Sequence, residues 1–200
     1  MSFGVLRVLN DDRIAAGTGF GTHPHENMEI ISIPLFGSLK HKDSIGNKTL
    51  IKAGEIQVMS AGTGVQHSEL NGSSSEEARF LQIWIIPNTR NVLPRYDQIL
   101  IPENRLNTLV QVVSPNENDD GVWIHQNAWF HIGHFSIETG INYRLRDSGN
   151  GVYIFVLEGT AVVAGNQLSR RDGLGIWNVD TLLISCSSST YVLVMEVPMM

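Results

Sequence analysis

The residues that carry the most chemistry lie in the stretch GTGFGTHPHENMEIISIPLFG, residues 17–37, where His23 and His25 stand one residue apart and Glu29 follows four further on. On an extended strand, side chains two apart leave the same face about 6.6 Å from each other. Two imidazoles at that spacing can close on one ion with metal–nitrogen bonds of about 2.0–2.1 Å. Pro24 between them fits a strand edge or a bulge. A lone His-x-His pair is a weak signal, but SAGTGVQHSELN, residues 60–71, repeats the spacing with His67 and Glu69 after a glycine-rich turn. If segments 23–25 and 67–69 face each other across one barrel, three neutral imidazoles and one carboxylate surround an ion and leave coordination positions open. Such an N,O set suits non-haem iron, and also nickel, copper, manganese or zinc. The bland alternative is two unrelated pairs of surface histidines. Glycines at 17, 19, 21, 62 and 64, which flank both pairs, favour a built site.

The elements that must position these residues read as short strands. Segments 3–9, 28–35, 49–51, 55–59, 79–86, 108–113, 122–125, 129–137, 152–157, 160–164, 174–177, 181–185 and 190–196 are apolar or alternating, with Asn-Gly, Gly-Asn or Asp-Gly pairs among the intervening turns. Regular short strands of this kind predict sandwich or barrel architecture. PNTRNVLPRYDQILIPENRLN, residues 87–107, has three prolines and no clear period, and reads as a linker. On either side of it, 33–62 and 155–180 follow one order: apolar strand, Gly37 or Gly159, second strand, turn, and a further strand opened by Ala53-Gly54 or Asp172-Gly173. The expectation is therefore an all-β chain of two stacked, jelly-roll type β-barrels, an N-terminal domain over 1–95 and a C-terminal one over 108–200.

Composition narrows the function classes. A chain of 200 residues that is 42% hydrophobic can bury a proper core. A formal charge of -6 without a dense Lys/Arg cluster argues against direct nucleic-acid binding. No apolar run approaches the roughly 20 residues that span a bilayer. MSFGVLRVLNDDR lacks the charged start and cleavage site of a signal peptide, so the expected location is cytoplasmic. The single cysteine, Cys186, agrees with a reducing compartment and reads as a space-filler in the strand LLISCS.

Gly19, His23, His25, Glu29 and Gly37 resemble the first motif of cupins, and Gly54, Gly64, His67 and Asn71 the second. More narrowly, GFGTHPHENMEII together with MSAGTGVQHSE is similar to the pirin family. The resemblance implies a bicupin fold over the whole chain. It implies a divalent transition metal at His23, His25, His67 and Glu69, iron(II) first and nickel, copper, manganese, cobalt or zinc after it. It also implies dioxygenase action on flavonols such as quercetin, with O2 as co-substrate. It further implies an additional N-terminal segment before FGVLRVLNDD, a stretch that already alternates like a strand and gives this chain an abrupt, truncated-looking start. Glu29 is assigned to orient an imidazole. Glu69 is assigned as metal ligand and as the general base that takes the flavonol hydroxyl proton.

A second reading is a non-enzymatic, metal-dependent redox-sensing regulator that docks a protein partner. A third, a metal-dependent isomerase acting on a small polar substrate, has only Arg79, Gln82 and Gln57 to draw on. His131 and His134 are three apart, so a strand points them opposite ways, and both read as structural. His125 follows Trp123 on one face of VWIHQN and has no visible partner. His41, in the charged run LKHKDS, reads as solvated. Met28, Phe36, Met59, Phe80, Trp84 and Ile86 read as barrel core or as the wall of an aromatic pocket.

Overall fold

The computed structural model describes residues 2–102 and 105–200, and among them there are nineteen strands and no helix. In chain order these are β1 Leu6–Ile14, β2 Gly19–His25, β3 Glu29–Phe36, β4 Ser38–Asp43, β5 Lys48–Lys52, β6 Glu55–Ser60, β7 Val65–Asn71, β8 Ala78–Ile85, β9 Arg95–Leu100, β10 Leu109–Ser114, β11 Val122–Trp123, β12 Trp129–Phe135, β13 Thr139–Arg144, β14 Asn150–Glu158, β15 Ala161–Val163, β16 Asn166–Leu168, β17 Gly173–Trp177, β18 Thr181–Cys186 and β19 Thr190–Pro198. Among the described residues no helix is long and apolar enough to cross a membrane.

The chain divides into two compact units, Leu6–Ile101 with Pro115–Gln126, and Phe3–Val5 with Pro102–Ser114 and Asn127–Met200. The first unit packs a sheet of order β1-β8-β3-β6-β9 against one of order β2-β7-β4-β5. The second contains β10-β12-β19-β14-β17 and β13-β18-β15-β16. The wiring of the two units is a repeat, because β1-β8-β3-β6 with β2-β7-β4-β5 has the connectivity of β12-β19-β14-β17 with β13-β18-β15-β16. The glycine that leaves the long strand is common to both. Gly37 and Gly159 have φ of 73° and 79°, and a Cβ there would lie 2.9 Å from the Glu77 carbonyl oxygen and 2.7 Å from Thr190 Cα. Only glycine makes that corner without strain.

Counting from these corners aligns the interiors. His41, Glu69 and His67 occupy the paired positions of β4 and β7 that Val163, Ile184 and Leu182 occupy in β15 and β18. The second unit's core is a continuous apolar cluster of Phe135, Val152, Ile154, Val163, Leu182, Ile184, Val192 and their neighbours. Cys186 is 1% exposed within it, and burial pushes its thiol up to about 11, as a space-filler requires. The first unit's apolar packing falls into separate groups, with Ile14, Leu39, Ile51, Ala78 and Phe80 in one and Ile30, Met59, Ala61 and Val65 in another.

The linker reading of 87–107 misses β9, which pairs antiparallel with β6 from Glu55↔Leu100 to Ser60↔Arg95. This edge strand is half-buried along nearly its whole length, so it shows neither alternation nor an apolar run. The first unit consequently extends past residue 95 to Ile101. Glu103 and Asn104, within the same stretch, lie outside the described residues.

Candidate metal centre

β2 and β7 are adjacent antiparallel strands of one sheet, with His23 opposite His67, so the two pairs do not face each other across the barrel as the spacing argument supposed. A register shift between Phe20 and His23 leaves Phe20, and not a histidine, opposite Glu69. The three imidazoles come together. Ring centroids lie 4.5 Å apart for His23 and His67, 4.8 Å for His23 and His25, and 4.9 Å for His25 and His67, and one ring nitrogen from each lies within 4.8 Å of the others. Glu69 belongs to a second group on the same scale, with His67 and His41. His67 is common to both.

Each ligand candidate has a distinct hold. His23 Nδ1 is 2.7 Å from the Gly21 carbonyl oxygen; because a carbonyl only accepts, Nδ1 carries the proton and Nε2 is left to bind an ion. Glu69 is 1% exposed. Ser32 Oγ donates to its Oε1 at 2.9 Å, and Gln82 Nε2 donates a short bond to its Oε2, with Trp84 Nε1 donating in turn to Gln82 Oε1 at 3.1 Å. Burial raises the Glu69 pKa, against the pull of Ser32, His23 and Gln82. His67 is 2% exposed, and neither ring nitrogen has a hydrogen-bond partner. Such orphaned buried atoms cost about 1–3 kcal/mol each unless something binds them. Burial, then the neighbouring imidazoles, lowers its pKa to about 3; burial and His23 lower His25 to about 4. Neutral, unpartnered imidazole nitrogens beside a carboxylate fit a divalent transition metal.

His41 is not solvated. It is 2% exposed because β4 alternates, Lys40 and Lys42 pointing outward and His41 and Asp43 inward. That alternation was readable in LKHKD and was masked by the lysines. Glu29 does not orient an imidazole. It lies three positions from Ser32, so the two point to opposite faces of β3; its Oε2 accepts from Ser60 Oγ at 2.7 Å, and burial pushes its pKa up to about 7. His131 is buried and His134 exposed, on opposite faces of β12 as their spacing predicts. Arg79 is two-fifths exposed and paired with Glu77, so of the polar trio only Gln57 and Gln82 are buried.

Two clefts lie by the centre, one lined by His25 and the other by the tryptophan that packs against its ring. One of about 470 Å³ is lined by Pro24, His25, Glu26, Ser44, Gly64, Val65 and Gln66. Another of about 420 Å³ is lined by Arg7, Val8, Leu9, Asn10, Met28 and Trp84, and the Trp84 ring stands 4.9 Å from that of His25, edge to face. Met59 and Phe80 are fully buried core, whereas Met28 and Trp84 are the lining. Phe36 is two-fifths exposed under Arg79.

Comparison with known proteins gives a consistent picture. A family model described as Pirin matches residues 2–85, and one described as Quercetinase C-terminal cupin domain matches residues 111–197. The chain is 39% identical over 198 residues to the quercetin 2,3-dioxygenase of Escherichia coli K12, spanning 99% of this chain and 84% of the relative. It is 38% identical over 178 residues to a pirin-like protein of Caulobacter vibrioides, spanning 88% and 76%. Among solved structures, the bacterial pirin YhhW from Escherichia coli in complex with nickel(II) superposes with a TM-score of 0.94 at 38% identity, covering 100% of this chain and 85% of that one.

Proposed function

The chain belongs to the pirin family, and we propose that it is a metal-dependent dioxygenase of flavonols such as quercetin, using O2, with its ion held by His23, His25, His67 and Glu69. The observation that carries this reading is the convergence of three imidazoles within 4.8 Å, one of them buried with both nitrogens unpartnered. The names of relatives at 38–39% identity support the reaction class, and a nickel(II) complex of a 38% identical pirin supports a divalent ion. Iron(II) is the first candidate, because this donor set suits it.

A divalent ion at this place supplies Lewis acidity, which lowers the pKa of a hydroxyl brought against it. The chain's own residues do the rest. His23 is locked by the Gly21 carbonyl in the tautomer that leaves Nε2 free. Ser32 and Gln82 fix both oxygens of Glu69, a carboxylate whose pKa burial raises in the metal-free chain and which we assign as the general base. Glu69 takes the proton of the substrate's 3-hydroxyl. Trp84 and Met28 give a flat aromatic ligand an apolar wall beside His25, and Ser44 and Gln66 offer polar atoms on the other side.

The test is chelator-stripped protein reloaded singly with Fe(II), Mn(II), Co(II), Ni(II) or Cu(II), followed by oxygen uptake and quercetin loss. Stoichiometric consumption of both with at least one metal is expected. No turnover with any of them overturns the enzymatic reading and leaves the metal-dependent regulator, which predicts partner capture without turnover.

A further inference from the structure

We propose that Asp43 and His41 form a relay that positions His67: Asp43 fixes the tautomer of His41, and His41 Nδ1 accepts the ring N–H that His67 retains when its other nitrogen holds the ion. The relay rests on the assignment of His67 as a ligand.

Two orphaned atoms, one on each ring, complement each other. Asp43 is 8% exposed and collects four donors: the backbone amides of Ile45 and Asn47 reach Oδ1 at 3.1 and 2.9 Å, and Asn47 Nδ2 and His41 Nε2 reach Oδ2 at 2.7 and 3.1 Å. An ionised carboxylate can only accept, so His41 Nε2 carries the proton and Nδ1 carries a lone pair. That Nδ1 is buried and no donor reaches it. His67 presents the complement. Whichever of its nitrogens binds an ion, the other must be an N–H, and it too is buried without a partner. The two rings are neighbours, because β4 and β7 pair with His41 opposite Glu69 and Asp43 opposite His67. Their centroids lie 5.5 Å apart at 51°; the N–H···N bond is not made in this structure, where both nitrogens are unpartnered, and a small turn of either ring would close it to about 2.9 Å. Glu69, the other acceptor in this group, already takes Ser32 and Gln82 and is itself assigned as a ligand. Tyr96 packs on His41 with centroids 4.8 Å apart, and its hydroxyl is anchored to Thr49 at 2.6 Å and Gln98 at 2.7 Å, so the His41 ring is held in place.

Ligating histidines usually donate their second N–H to a carboxylate or carbonyl, and losing that partner typically costs 10–100-fold in metal affinity. His23 has its acceptor in Gly21. His67 has none directly, and the relay supplies one through a second imidazole, with the carboxylate one ring further out. The turn that follows β4 thereby becomes part of the centre.

The test compares His41→Gln with His41→Leu, which have similar volume, in the full chain. The glutamine carbonyl can accept from His67 and the leucine cannot. Expected for His41→Leu are a 10–100-fold loss of Ni(II) affinity in competition with a chromophoric chelator and a shifted visible spectrum of the Co(II) form. His41→Gln should stay within a few-fold of the parent. A merely space-filling His41 would make the two variants alike, and equal affinities with unchanged spectra overturn the relay. Asp43→Asn is the second arm. Its amide would donate to His41 Nε2, force the proton onto Nδ1 and set N–H against N–H, so a near-isosteric change should weaken Ni(II) binding like leucine; parent-like binding by folded Asp43→Asn also overturns the relay. If His41→Leu does not fold, Asp43→Asn decides, together with the nitrogen-15 shifts of His41 in the Zn(II)-loaded parent. Those shifts must report an Nε2–H tautomer, and an Nδ1–H tautomer overturns the relay. His23→Ala separates the underlying assignment: if it keeps stoichiometric metal, the ligand set falls first, whereas loss of metal there beside parent-like His41→Leu removes the relay alone.

Discussion

Replacing Gly19 by alanine tests how tightly the β2–β7 pairing governs the centre. Gly19 sits opposite Leu70 in the ladder that sets His23 against His67. A Cβ added there would lie 2.4 Å from the Glu69 carbonyl oxygen and 2.6 Å from Leu70 Cα, both backbone atoms that no rotamer can move aside. Restoring 3.4 Å, the near limit of ordinary contact, requires the strands to part locally by about 1.0 Å, from 3.4 minus 2.4. Overpacking of this kind costs about 1–3 kcal/mol, a fall of about 2–12 °C in the melting temperature of a chain this size. The same displacement lies outside the roughly 0.5 Å tolerance of a preorganised site, so metal affinity should fall about 10–100-fold even where the fold survives. Gly21 supplies the control. It is two residues nearer the histidines, yet a Cβ there meets nothing within 4 Å, and its carbonyl still serves His23. Calorimetry of the metal-free proteins and Ni(II) competition titrations should separate Gly19→Ala, impaired in both, from Gly21→Ala, impaired in neither. Parent-like affinity in Gly19→Ala, or equal losses in the two variants, would refute the claim that strand separation sets the ligand geometry.

Gln82→Ala strips one oxygen of the buried Glu69 of its donor and should destabilise the metal-free protein by about 1–3 kcal/mol in denaturant titrations; an unchanged midpoint would mean that water replaces the amide. Glu196→Ala, in the second unit, removes the acceptor shared by Tyr143, Asn150 and the amides of Arg146 and Asp147, so a loss of about 3 kcal/mol or more is expected with metal content intact, and metal loss would count against the division of labour between the units. In metal-free protein, His67 near 3, with His25 and His131 near 4, titrates well below the ordinary 6.5, so the unfolded chain binds the extra protons. The corresponding stability is complete above pH 6.5 and drains away as pH falls toward 4. Glu29, raised from 4.5 to about 7, acts in the opposite sense, its share being present at low pH and lost as pH rises from 4.5 through 7. Urea midpoints should therefore fall between pH 6.5 and 4.5, and fall more steeply in Glu29→Gln; a flat profile in both would show that the imidazoles are not buried in solution.

Much of the centre was legible because strand periodicity is a strong constraint. His23 with His25, and His67 with Glu69, stood out by their spacing, and the structure gathers the three imidazoles in one group and sets Glu69 with His67 in a second. What spacing could not give was which strands are neighbours, since Gly19–His25 and Val65–Asn71 are forty residues apart and their adjacency is a property of sheet order. His41 was misread because charge composition was weighed over alternation: two lysines on the solvent side of β4 concealed two inward-facing polar groups. Glu29 was misassigned from its place in the cupin-like motif, where parity along β3 already sends it to the other face from Ser32. β9 left no signal, being an edge strand half-buried throughout.

The repeat of wiring between the two units has a thermodynamic corollary. Where the second unit fills its middle with Val163, Leu182 and Ile184, the first places His41, His67 and Glu69, and so forgoes about 1.5–3 kcal/mol of hydrophobic burial at each position. An ion that binds only the folded state returns stability in proportion to the logarithm of its concentration over its dissociation constant. With the ion held as proposed, the first unit is expected to melt before the second in metal-free protein and to gain stability as metal is added, while its hydrocarbon-filled sibling is expected to be indifferent to that addition.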